Sequence, residues 1–137
     1  MDCSEEKKFK MKKNIDKEFK VGICGLGTVG AATLMLLAGE NSNEIKRRTG
    51  ASICVSHVAT RTSKPKLTEN VPCVGTDPFL VANDPMVDIV VETIGGYDAA
   101  FEVIKQALTN KKHVVTANKA LIAERGNELF EMAEENN

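Results

Sequence analysis

The sequence predicts an α/β fold built on a parallel, doubly wound sheet. Two observations carry this. From Lys20 onward, short apolar runs alternate with helical stretches, the pattern of successive βαβ units. The first of those runs passes through a glycine-rich turn straight into a helix. Both features sit in a chain of ordinary globular make-up, 137 residues with 42% apolar and 27% charged side chains, which is enough for one domain with its own core.

The elements follow in order. Residues 1–19, MDCSEEKKFKMKKNIDKEF, are rich in charge and lack a repeating apolar face, so they read as a disordered polar tail ahead of a single domain over 20–137. KVGIC (20–24) is the first strand, followed by the glycine turn and a helix to about Leu37. NSNEIKRRTG then forms a longer polar connection with an extra helical turn. SICVSHVA (52–59) is the second strand, PCVGTD (72–77) a short third, and PFLVAND a brief helix with Pro78 where a missing N–H does no harm. VDIVVET (87–93) is apolar on both faces, as a buried parallel strand should be. Gly95 and Gly96 turn the chain into YDAAFEVIKQALTN, whose Ala99, Val103, Ile104, Ala107 and Leu108 recur at helical spacing. KHVVTA (112–117) is another buried strand, and the remainder is a helix with Leu121, Ile122, Leu129, Phe130 and Ala133 on one side. A full dinucleotide-binding sheet has six strands. Five strands and a closing helix therefore suggest a chain truncated before its last strand.

A competing reading has to be met, because residues 21–39 carry no charge over nineteen positions, a length that raises the question of a membrane span. The glycines argue against it: Gly22, Gly25, Gly27, Gly30 and Gly39 would each cost a helix about 1 kcal/mol relative to alanine. Acidic residues interrupt the basic stretch before this run, and no small-x-small cleavage site ends it, so an export signal fits poorly as well. The formal net charge of -1 offers no attraction to nucleic acid or to an anionic membrane. Aromatics are few, with Tyr97 the lone tyrosine, so base-stacking platforms are not expected. Cys3, Cys24, Cys54 and Cys73 are far apart and form no C-x-x-C or Cys/His cluster. Free thiols in a reducing, cytoplasmic setting are expected rather than a metal site or a disulfide framework.

The turn Gly25-Leu26-Gly27-Thr28-Val29-Gly30 has the spacing and the strand-to-helix context of a dinucleotide fingerprint, which makes the predicted fold Rossmann-type. Gly25 would permit the tight turn, Gly27 would let a pyrophosphate approach the backbone, and Gly30 would let the helix pack closely on the strand. Backbone N–H groups of Thr28 and Val29 would donate to the phosphate, aided by the helix dipole. At the end of the second strand, HVATRTSKPK offers no acidic residue for a ribose 2′-OH and places Arg61 there instead. An arginine pairs bidentately with a 2′-phosphate. A charge-assisted hydrogen bond of about 1.5–3 kcal/mol corresponds to roughly a 10- to 150-fold preference for NADP. The expected cofactor is NADP, carried by Arg61 with Thr60, Ser63 or Lys64 assisting, and NAD remains the alternative.

Chemistry in an open parallel sheet gathers at the carboxyl ends of the strands. There the chain brings Glu92, Thr93, Ile94 and Gly95 from one strand end and Thr116, Ala117, Asn118 and Lys119 from another. The glycine pair would admit a nicotinamide ribose close to the backbone. Lys119 opposes the helix dipole at about 0.3–1 kcal/mol, which invites a ligand-facing role beside the plainer reading of a surface lysine. His57 and His113 read as packed or surface side chains, Asp77, Asp84 and Asp88 as caps and turns beside Pro78 and Pro85, and Glu92 as either structural or in contact with ribose or substrate.

GICGLGTVG, SHVATR, VDIVVETIGG and HVVTANKALIA, in this order and spacing, resemble the N-terminal nucleotide-binding domain of homoserine dehydrogenase. The resemblance covers about residues 20–137 and implies an enzyme that interconverts aspartate 4-semialdehyde and homoserine with NAD(P)H, on the route to threonine, methionine and isoleucine. It implies that Lys119 matches the family's lysine beside substrate and nicotinamide, where an ammonium can stabilise a developing alkoxide and donate its proton. Family members continue into a dimerisation region and a substrate domain with a second catalytic lysine, so the parent is expected to be a homodimer acting on that small molecule. This chain alone is expected to bind cofactor and turn over little or nothing. Two other readings stay open: the cofactor domain of a related amino-acid dehydrogenase, and a nucleotide-sensing module without catalysis.

Overall fold

Strand β1 (Glu18–Cys24) is the middle of the sheet, and everything else is arranged around it. The computed structural model describes residues 17–137; residues 1–16 of the expected tail lie outside the described residues, and Glu18 and Phe19 already belong to the strand. In chain order the remaining elements are α1 (Thr28–Ala38), α2 (Asn41–Thr49), β2 (Ser52–Ala59), α3 (Pro65–Thr68), β3 (Cys73–Gly75), α4 (Pro78–Asn83), β4 (Ile89–Glu92), α5 (Asp98–Thr109), β5 (His113–Thr116) and α6 (Lys119–Glu135).

The five strands are ordered β3-β2-β1-β4-β5 and every pairing is parallel. After β3 on one edge the chain crosses to the far side of β1 to lay down β4, so the winding reverses between β1 and β4. That is the switch point at which ligands bind in this architecture. The β1/β2 register slips between Val21↔Val55 and Gly22↔His57, leaving Ser56 as a bulge residue whose buried hydroxyl has no partner among the described residues.

Alternation along β1 supplies both faces of the core. Val21 and Ile23 pack with Leu34 of α1, Val55, Val58 and Val91 on one side. Cys24 packs with Val81 and Ala82 of α4, Val90, and Val103 and Ala107 of α5 on the other. Phe101, Ile104 and Leu108 of α5 then meet Leu121 and Leu129 of α6 in a third cluster. Each fully buried aliphatic side chain of this kind contributes roughly 1.5–3 kcal/mol.

Several elements differ from expectation. The stretch after α1 is a nine-residue helix rather than a polar connection with one extra turn. It lacks buried residues, and is held instead by Glu44, which accepts hydrogen bonds from Arg47 and Arg48, and by Gly50 at its C-cap with φ +73. Strand β5 is not buried: it is an edge strand with His113 and Val115 exposed. In α5 the inward face is Ala100, Phe101, Val103, Ile104, Ala107 and Leu108, and Ala99 points outward. Helix α6 is kinked at Arg125 (φ -126, ψ 17), and Phe130 lies exposed while Leu121 and Leu129 are buried. Arg125 holds the kink by stacking 3.3 Å over the Phe101 ring and pairing with Glu128.

Candidate functional site

The glycine turn is built from the inside out. Gly25 takes φ +97, a conformation that suits only glycine, and its N–H donates to the Ala59 carbonyl at 2.8 Å, bracing the turn against the end of β2. A Cβ at Gly25 would lie 2.7 Å from the Thr93 carbonyl oxygen. Thr93 in turn donates its hydroxyl to the Gly25 carbonyl at 2.7 Å, joining the turn to the end of β4. Gly30 is needed for the same contact, because a Cβ there would meet the Gly25 carbonyl oxygen and stand 2.7 Å from Thr93 Oγ1. The close approach it permits is to the turn and Thr93, more than to the strand at large.

Gly27 is different. A Cβ at this position would meet nothing within 4 Å, and its φ of -73 is open to any residue. Nothing in the protein's own packing asks for a glycine here, so its smallness is available to a group approaching from outside. Gly27 is also the N-cap of α1, which has no side-chain cap and no acidic residue in its first turn. The backbone N–H groups at Thr28, Val29 and Gly30 therefore open the helix without a side-chain partner, the arrangement that binds phosphate.

A cavity of about 600 Å³ lies over this turn. It brings together Gly25, Leu26, Gly27, Thr60, Arg61, Lys64, Thr93 and Ile94, all expected from sequence. Thr60 is buried, with its hydroxyl donating to the Thr62 carbonyl at 2.9 Å and its N–H to Gly75, so it shapes the loop after β2. Lys64 reaches 2.5 Å to the Leu26 carbonyl, which places its ammonium on the glycine turn itself. Arg61 is exposed on the cavity wall, and no salt bridge among the described residues involves it. Thr28, Val29 and Gly30 do not line the cavity, and neither do four expected residues beyond it, Gly95, Thr116, Asn118 and Lys119. These last four form an adjoining rim, in which Asn118 Nδ2 donates to the Gly96 carbonyl at 2.6 Å and Lys119 is exposed at the first position of α6.

Sequence reasoning assigned Asp77 only a capping role and left Phe79 without a site role, yet both line the cavity. Asp77 does cap α4, accepting from the Phe79 N–H at 2.9 Å. Its position across β3 from the Arg61 loop depends on strand order, which no local pattern reveals. Glu92 is fully buried rather than facing a ligand, and Cys24 beside it has its thiol pushed up to about 12 by burial and by Glu92. His57 is packed and pairs through Nδ1 with Asp84 at 2.8 Å. Among the described residues there is no group of three or more potential metal ligands, and no helix is long and apolar enough to cross a membrane.

Fold and site together define a Rossmann-type domain for a nicotinamide dinucleotide. A family model described as the NAD binding domain of homoserine dehydrogenase matches residues 25–137, and the chain belongs to that family. It is 51% identical over 119 residues to the homoserine dehydrogenase of Pseudomonas aeruginosa, covering 87% of this chain and 27% of that protein. The crystal structure of a homoserine dehydrogenase from Thiobacillus denitrificans matches with a TM-score of 0.80 at 48% identity, covering 88% of this chain and 28% of the other. A hyperthermophilic archaeal homoserine dehydrogenase in complex with NADPH matches at a TM-score of 0.68 and 26% identity, over 87% of this chain and 41% of that one. The chain thus spans about 27% of the length of such a curated relative.

Proposed function

We propose that this chain is the cofactor-binding part of a homoserine dehydrogenase, binding NADP(H) for the interconversion of aspartate 4-semialdehyde and homoserine. The observation that carries the reading is Gly27, open to solvent at an uncapped helix N-terminus beneath a cavity at the switch point. The first-turn amides of α1 hold the pyrophosphate, with Gly27 giving it room. Gly25, Gly30, Thr93 and Lys64 keep that turn in shape. When bound, the nicotinamide would supply or take up the hydride. Lys119 holds a proton at its ammonium and delivers it to the oxygen of the reacting carbonyl, while Thr93, Ile94, Gly95, Thr116 and Asn118 form the edge that receives the nicotinamide half.

Arg61 is the residue proposed to select NADP. Its guanidinium is exposed on the cavity wall with no competing ion pair among the described residues. The NADPH bound to the archaeal relative supports the same choice. Asp77 lies on the same cavity and works against an anionic ligand, so the preference is expected at the lower end of the range for one charged hydrogen bond. Calorimetric titration of this chain should give NADPH binding tighter than NADH by about tenfold, falling to near parity in Arg61→Ala. An unchanged ratio in the variant would remove Arg61 from the account. A cytoplasmic setting is proposed from the wide spacing of the cysteines in the sequence, and a homodimeric parent from the family's domain plan.

A further inference from the structure

The ends of β4 and β5 are joined by a circuit of hydrogen bonds centred on a buried acid. Glu92 closes β4, a strand otherwise made of Ile89, Val90 and Val91, and is fully buried. Its Oε1 accepts from the Ile94 N–H at 2.8 Å, and its Oε2 accepts from Thr116 Oγ1 at 2.5 Å. The Thr116 hydroxyl itself accepts from the Asn118 N–H at 3.0 Å. Asn118 then donates from Nδ2 to the Gly96 carbonyl at 2.6 Å, and accepts at Oδ1 from the Leu121 N–H at 3.2 Å to cap α6. The circuit leaves the loop after β4 at Ile94 and returns to it at Gly96.

Joining the two strands does not require this acid. The backbone ladder already pairs Val91↔Val115 and Glu92↔Thr116, and the Ala117 N–H reaches the Glu92 carbonyl at 3.2 Å. A carboxyl group in such a place carries a desolvation cost that an aliphatic residue would avoid. What the carboxyl adds is orientation of the loop beyond Thr93, itself tied to the end of β1, and of the loop after β5. Gly95 and Gly96 take φ +75 and +79 with open space around them, and β5 is an edge strand.

We propose that Glu92 is a positioning residue that, through Thr116 and Asn118, locks residues 93–96 and 116–119 into one rigid edge for the nicotinamide half of the dinucleotide. This rests on the cofactor reading above. The polarity of the circuit runs one way: the Thr116 hydroxyl gives its single proton to Glu92 while its lone pairs take the Asn118 amide. Glutamine at 92 keeps the shape but turns one acceptor into a donor. The Thr116 hydroxyl can accept from that amide as well as from the Asn118 N–H, so the circuit survives with one link reversed, whereas leucine at 92 removes both acceptors and breaks it.

The test compares NADPH with adenosine 2′,5′-bisphosphate, which carries the adenosine half and no nicotinamide, on this chain and on Glu92→Leu, Glu92→Gln, Thr116→Val and Thr116→Ser. Glu92→Leu and Thr116→Val should bind NADPH about tenfold more weakly and bind the bisphosphate within about twofold of the parent, while Glu92→Gln and Thr116→Ser stay close to the parent for both. Thr116→Val tests the link from the less buried side if Glu92→Leu fails to fold. Amide exchange in the ligand-free chain should quicken at Ile94 in Glu92→Leu and at Asn118 in Glu92→Leu and Thr116→Val, with β1 and β2 unaffected. In those two variants, unchanged NADPH affinity, parallel loss of both ligands, or no local quickening overturns the proposal. If the parent chain binds neither ligand, the cofactor reading fails with it, and the exchange result alone then decides whether the circuit stiffens the edge.

Discussion

Gly30 and Gly27 stand three residues apart in one motif and are glycines for opposite reasons. Gly30 is demanded from within, since a Cβ would run into the Gly25 carbonyl and Thr93 Oγ1. Gly30→Ala should therefore lose about 1–3 kcal/mol of stability, the usual cost of forcing atoms into a packed site, read as a lower denaturation midpoint at unchanged slope. A midpoint equal to that of the parent would mean that the turn relaxes freely and is not braced as described. The glycine turn was legible in the sequence because the triplet stands between a strand pattern and a helix pattern, a context that turns elsewhere lack. Which glycine serves the protein and which serves a ligand was not legible, because that depends on Thr93, 63 residues beyond Gly30 in the chain. Lys64 shows the same limit: its charge pointed to a phosphate, while its ammonium is set on the Leu26 carbonyl.

At the scale of elements, the apolar runs placed every strand because burial within a parallel sheet writes itself into consecutive residues. Helix α2 was under-read for the converse reason. It buries nothing and is held by Glu44, its two arginines and Gly50, so no apolar period announced its full length. Strand β5 has the composition of a buried strand but sits at the edge, and sequence pattern alone does not supply strand order. The end of α4 shows how elements are tied across the fold. Asp84 accepts from the Met86 N–H at 2.9 Å and pairs with His57 of β2, while its carbonyl and that of Val87 accept from the buried Lys112 Nζ ahead of β5. Burial works to raise the Asp84 carboxyl, but the Met86 amide, the His57 ring and the charge of Lys112 together hold it below its ordinary value. Burial pushes the Lys112 ammonium down, and Asp84 and Asp88 offset part of that. A carboxyl with a depressed folded-state pKa adds stability that is complete above its unfolded value of about 3.9 and is lost as pH falls through the folded value. Asp84→Asn should therefore flatten the acid limb of the stability curve below about pH 4 and lower stability at neutral pH by on the order of 1 kcal/mol. Urea melts at several pH values check this, and an acid limb as steep as the parent's would contradict it.

At the scale of the whole molecule, two ends of one parallel sheet do different work. The starts of β4 and β5 carry the Asp84 and Lys112 network that ties layers together, and the finishes of β1, β2 and β4 carry the turn, the Arg61 loop and the Thr93 loop around one cavity. The sheet order follows from the chain reversing at β1/β4, and that reversal is what opens the space above Gly27. On the cofactor reading proposed above, this space belongs to a dinucleotide phosphate. The most direct test is Gly27→Val, followed by calorimetric titration with NADPH and by thermal melting of the same samples. Loss of NADPH binding by at least about a hundredfold is expected, with a melting temperature lowered by no more than about 5 °C, the cost of valine in place of glycine at an N-cap, because the added Cβ enters open space that only the ligand would fill. NADPH binding that survives valine at this position would contradict the claim.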